Sequence, residues 1–197
     1  MNTNAEQMFE SKFNFGGLIL AIIGGILAAA AMGYAYFLVA NKVGIDYIIA
    51  LAVIVGIVVG AVVGALAKIG RLRVTLIVFM IAFVFGLAGY AARYFFEYND
   101  AIEQIMQENG LTRQQVLDRV SFNDYLQFVA DSGFSIGSRD SSSSSDAPIQ
   151  GGAAYGLLGV ELLAAGLAAG FTARSTITNN KKNTTGTIIP GPPMQTS

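Results

Sequence analysis

Apolar residues in this chain occur in long unbroken runs, with neither the strict alternation of a half-buried strand nor the narrow stripe of a surface helix. Gly16 to Ala40, Tyr47 to Ala67 and Val74 to Ala92 contain no charged residue, and a fourth run, Ala153 to Ala173, is interrupted only by Glu161. Crossing the hydrocarbon core of a bilayer takes about 20 such residues as a helix. Within lipid every backbone amide must be bonded inside its own segment, which selects helices over isolated strands. The second run is rich in Val and Ile and would lean towards β structure in water, but its length and lack of alternation decide for helix. The pattern predicts an all-α fold, a transmembrane four-helix bundle with a small extracytoplasmic helical insertion between helices 3 and 4. Residues 1–15 form a cytoplasmic N-terminal segment, 16–94 the first three transmembrane helices and 95–152 the insertion. Residues 153–174 form the fourth helix and 175–197 a cytoplasmic tail.

The insertion carries its own signals. The third helix is expected to run on through Phe95, Phe96 and Ile102 towards Met106, with Asn109-Gly110 as its stop. Thr112 with Gln115 reads as a capping box opening a short helix that includes Val116 and Leu117. Ser121 with Asp124 opens another, which places Phe122, Tyr125, Leu126 and Val129 on or near one face. A hairpin of this size cannot hold a core alone, so its apolar face should lie on the bundle or at the membrane interface. Ser141 to Ser145 reads as a low-complexity tract, and the end of the chain, with Pro190, Pro192 and Pro193, as an irregular tail.

Composition narrows the function classes. Charged residues make up 13% of the chain and hydrophobic ones 53%, against about 25% charged in a soluble domain. That deficit argues against a disordered chain or an ordinary soluble enzyme. The net charge of −1 supplies no basic field for nucleic acid. The chain has no Cys and no His, which removes thiolate metal sites, disulfides and the commonest general base. No cofactor and no metal site is expected, and the partners implied are the lipid bilayer and either further copies of the chain or another membrane protein. Glu6, Glu10 and Lys12 do not make a basic leader region, so the first helix is expected to stay as a signal anchor. Seven Lys and Arg flank the segments on the side of the N-terminus, the second loop and the tail, and five lie on the other side, spread over a longer stretch. The dense Lys68, Arg71 and Arg73 cluster then puts both termini in the cytoplasm and the acidic third loop outside.

Small residues recur at every fourth position. The first helix has Gly17, Ala21, Gly25, Ala29 and Gly33, and the second has Ala52, Gly56, Gly60 and Gly64. The third has Ala82 and Gly86, and the fourth has Ala165, Ala169 and Ala173 beside Gly166 and Gly170. A step of four returns to nearly the same helix face, and such stripes let backbones approach closely in lipid, where hydrophobic drive between helices is weak. Packing within the four-helix bundle is the leading reading. The alternative is a lateral oligomer, with the second helix as the better candidate for its surface.

Glu161 is the only acid well inside a spanning run, about 12 Å along its helix from Ala153. A charge at that depth is costly and calls for a partner. Arg93, at the outer end of the third helix, is the expected one, and Tyr34, Tyr36, Tyr90 and Tyr155 fall in the same layer as possible hydrogen-bond donors. One reading is a structural polar lock between the third and fourth helices, and the other a proton or cation site in a small conduit. Gly133-Phe134-Ser135-Ile136-Gly137 matches the G-x-S-x-G nucleophile pattern but has neither a His partner nor the strand-turn-helix setting, so it reads as a turn.

Phe13-Asn14-Phe15-Gly16, leading into a Gly/Ala-rich helix, and Ser132-Gly133-Phe134-Ser135-Ile136-Gly137, followed by a Ser/Gly spacer and a helix with Glu161, resemble an uncharacterised group of small bacterial four-helix membrane proteins. The resemblance spans most of Phe13 to Arg174 and implies topology but no activity. The functional expectation is a non-enzymatic membrane scaffold or accessory subunit of a larger assembly. Its alternative is a small channel or transporter with a carboxylate site at Glu161.

Overall fold

Helix α1 (Phe15–Val43) starts where Asn14 turns its side-chain oxygen back onto the backbone N–H of Gly16, at 2.9 Å, and of Gly17, at 3.4 Å. Asn is among the best residues for satisfying these first amides. The computed structural model describes residues 14–43, 49–72, 74–132 and 150–178. The Gly133–Gly137 and Ser141–Ser145 stretches, Lys12, Arg73 and the Pro-containing tail lie outside the described residues. Helices α2 (Ile49–Ile69), α3 (Thr75–Asn109) and α6 (Gly152–Thr178) complete a set of four long apolar helices. The short α4 (Arg113–Leu117) and α5 (Phe122–Ser132) form the helical insertion between α3 and α6. The fold is all-α, and the four long helices are each long and apolar enough to cross a membrane.

One boundary differs from the sequence expectation. The fourth helix continues through Thr178 because the Ser175, Thr176 and Thr178 hydroxyls donate to carbonyls three or four residues earlier, at 2.8–3.3 Å, and so stay satisfied inside a helix. The third helix, as its Asn109-Gly110 signal predicts, runs unbroken to Asn109, where Gly110 takes the left-handed conformation (φ 62°) that ends it.

α2 and α3 touch each other, and α1 and α6 each pack against both. The packing is inverted relative to a protein in water. The buried side chains of the four long helices are mostly Ala and Val, while Ile23, Leu27, Leu76, Val84, Leu163 and Phe171 are among the many large apolar ones facing outward. That arrangement suits lipid, in which helices gain by close approach rather than by hiding leucines. The glycine stripes meet partners within the chain. A side chain on Gly60 would strike the backbone of Ala169, its Cβ 2.8 Å from the Cα there, and one on Gly64 would lie 3.0 Å from Ala173. Gly56 likewise faces Ala165. On α1, Gly17 sits against Gly70 and Leu72, Gly25 beneath the ring of Phe85, and Gly33 against Gly89 and Ala92.

The insertion folds back as a cap. Thr112 and Gln115 form a complete capping box at the start of α4. Ser121 and Asp124 exchange equivalent bonds at the start of α5, with the Ser121 amide donating to Asp124 at 2.9 Å and the Asp124 amide donating to the Ser121 hydroxyl at 3.2 Å. The Ser121 hydroxyl and then its amide hold the Asp124 carboxyl below the usual carboxylate range. Tyr98, Ile102 and Val116 make a small core of their own, and the Tyr98 hydroxyl donates to the Val120 carbonyl at 2.7 Å. Leu126 and Val129 of α5 rest on the main core, while Phe122 and Phe128 stay exposed.

Candidate functional site

Where the cap meets the bundle, α3 presents Tyr90, Arg93, Tyr94 and Glu97 over two turns. Tyr90, Arg93, Tyr94 and Glu97 follow the three-and-four spacing that keeps residues on one side of a helix, and the first three are buried. α6 contributes Glu161, which is 1% exposed. The Tyr90 hydroxyl donates to Glu161 Oε2 and lies 3.1 Å from the Tyr94 hydroxyl. The α3 and α6 backbones come close enough for this because Gly86, one turn below Tyr90, leaves room for the Ala165 carbonyl, which would lie 2.7 Å from an added Cβ.

Arg93 is 4% exposed. Its Nε donates to Glu97 Oε1 at 2.5 Å, one turn further along the same helix. The guanidinium lies over the Tyr36 ring, 4.6 Å from its centroid, and 5.3 Å from that of Tyr94. Such cation–π contacts gain strength when desolvated. Tyr36 comes from α1, its ring 5.8 Å from that of Tyr90, and it feels the charges of both Arg93 and Glu161. The cap end of the cluster is covered by α5, whose Tyr125 hydroxyl donates to Glu97 Oε2 at 3.5 Å. Burial, and next the Glu97 carboxylate, hold that hydroxyl above the usual tyrosine range.

Four helices thus supply one polar column, running from Glu161 through Tyr90 and Tyr94, past Arg93 and Tyr36, to Glu97 and Tyr125. Of the residues expected from sequence, Glu161, Tyr90, Arg93 and Tyr36 come together here. Tyr34 does not join them: it is exposed on the outer side of α1, its ring edge-on to Phe96 at 5.3 Å. Tyr155 is exposed as well. Glu97, Tyr94 and Tyr125 were not singled out as site residues by the sequence reading, although Arg93 and Glu97 stand four apart, the spacing of a helical ion pair. Chemically the column offers one deeply placed carboxylate joined to hydroxyls that both donate and accept protons, with a fixed cation and a second carboxylate nearer the surface. Among the described residues no group of three or more carboxylates gathers to hold a metal ion.

Comparison with known proteins gave no matching family model, no matching curated protein and no matching solved structure. The resemblance to small bacterial four-helix membrane proteins therefore rests on its short motifs, and the part of it that the structure shows is an all-helical chain of long apolar helices.

Proposed function

We propose that the protein is a small membrane transporter that carries protons, with Glu161 as the proton-binding carboxylate. The observation that carries this reading is a buried carboxylate inside a candidate membrane span, accepting a hydrogen bond from Tyr90 and continued by hydroxyl and carboxylate groups to the cap. An ionisable group at such a place is functional by default. A lone carboxylate beside tyrosine hydroxyls suits a proton better than a multivalent cation, which asks for six or more oxygen ligands.

The polar column leads to one side only. From Glu161 to Ala173, about 18 Å of helix, α6 packs through Ala165, Ala169 and Ala173 against Gly56, Gly60 and Gly64. The core alongside is Val55, Val59, Val63 and Ala82, and Arg93 and Glu161 are the buried charged side chains of the described residues. A dry barrier on one side of Glu161 and a chain of polar groups on the other favour a binding site with alternating access over an open pore. With both termini cytoplasmic, the column leads from Glu161 to the outer side. The scaffold reading drew on the small-residue stripes and the acidic cap, and the stripes are occupied inside the chain.

Proton uptake into proteoliposomes, driven by a potassium diffusion potential and followed with a pH-sensitive dye, tests the proposal. The native chain should exceed protein-free vesicles, Glu161→Gln should fall to their level, and Tyr90→Phe should lie between. Helical content and elution profile in mild detergent report whether each variant still folds. Equal uptake by the native chain and a folded Tyr90→Phe or Glu161→Gln variant overturns the proposal, as does native uptake no faster than that of empty vesicles.

A further inference from the structure

At the end of the bundle away from the cap, an open cleft of about 410 Å³ lies between α3 and α6, lined by Thr75, Leu76, Phe79, Phe171 and Arg174. The Phe79 ring packs against Gly170, 2.6 Å from where a Cβ would stand, and meets Phe171 edge-on at 5.5 Å. Leu76 and Phe171 face outward, 71% and 57% exposed. The cleft therefore opens sideways into the layer where the other outward Leu, Ile and Phe side chains lie, not into the bundle.

Charge marks its mouth. Among the described residues, Lys68, Arg71 and Arg174 are the charged side chains at this end, and all are cations. Glu97, Asp100, Glu103, Glu108, Asp118, Asp124 and Asp131 belong to the cap end, and Glu161 lies in that half of the bundle. No described carboxylate is placed to neutralise Arg174. An exposed guanidinium above a lateral apolar cleft, with a threonine hydroxyl on the opposite lip, matches a lipid whose headgroup is a phosphate anion. Arginine binds phosphate oxygens through paired N–H donors, and the Leu76, Phe79 and Phe171 surface matches an acyl chain.

We infer that this cleft binds an anionic phospholipid, with Arg174 and Thr75 on the phosphate and one acyl chain along Leu76, Phe79 and Phe171. The site lies at the opposite end from Glu161 and does not depend on the transport reading.

Native mass spectrometry of the full chain, released from micelles holding equal amounts of phosphatidylglycerol and phosphatidylcholine, tests this. The expected result is a phosphatidylglycerol preference of about fivefold, the ratio equivalent to about 1 kcal/mol for one basic side chain at an anionic surface. Arg174→Gln should abolish that preference, Leu76→Trp should fill the cleft and weaken retention of either lipid, and Lys68→Gln and Arg71→Gln should leave the preference unchanged. Equal losses in the Arg174, Lys68 and Arg71 variants would mean a diffuse surface potential and overturn the site. Displacement of the lipid by glycerol phosphate at matched concentration would mean headgroup recognition alone and overturn the acyl part of the inference.

Discussion

A guanidinium that is 4% exposed needs a counter-charge, and Arg93 has one in Glu97, 2.5 Å away. Removing one partner of a buried pair costs about 3–5 kcal/mol, because the other charge is stranded. Glu97→Gln should therefore destabilise the folded chain by about 3 kcal/mol, measured by denaturant unfolding in mild detergent. The sequence reading matched Arg93 with Glu161 instead, and a double-mutant cycle separates the two pairings. The Arg93–Glu97 coupling should exceed the Arg93–Glu161 coupling, and the reverse order would reinstate the sequence-based pairing. The residues of the site were legible in unequal degree. Ala29, Gly33, Tyr36 and Ala40 are all buried, at three- and four-residue steps on one face of α1. The small-residue stripe therefore already pointed Tyr36 inward and Tyr34 outward. Glu97 was harder to see, since it falls past the apolar run on the extended part of the third helix, where an acid reads as one more solvated charge until α5 is known to cover it.

Among the elements, the cap signals were the most legible. Thr112/Gln115, Ser121/Asp124 and Asn109-Gly110 are local devices whose hydrogen bonds need only neighbouring residues, and each does in the structure what its spacing predicts. Helix pairing was not legible, because every long helix carries small residues and a stripe does not name its partner. In the structure the α2 stripe lies on the α6 stripe. A leucine there has no cavity to enter and meets backbone, which cannot rotate away. Gly60→Leu should cost about 3 kcal/mol or more, at or above the upper end of ordinary overpacking. It should appear as loss of helical content and aggregation in detergent, not as a folded, dissociated subunit. Gly156→Leu is the matched control on α6, since nothing lies within 4 Å of a Cβ added there, and it should leave the unfolding midpoint unchanged. A well-folded but dissociated Gly60→Leu species would return the stripe to the oligomer reading.

The whole molecule is an electric dipole as well as an inverted core. The described charges at the α2–α3 turn and the end of α6 are cations, and the described acids sit on the cap and in the half of the bundle next to it. Basic flanks are retained on the cytoplasmic side during insertion, and acids count for little in that choice. The Lys68 and Arg71 end should therefore face the cytoplasm and the cap the exterior. Because the chain has no cysteine, a single introduced thiol reports its side without background. Glu108→Cys, at the exposed end of α3, should react with a membrane-impermeant maleimide in intact cells. Thr178→Cys, exposed at the end of α6, should react only after the membrane is opened. The opposite pattern would keep the bundle and the polar column but place the column on the cytoplasmic side of Glu161. Orientation, which no contact inside the fold encodes, thus sets the side of the membrane from which the column reaches Glu161.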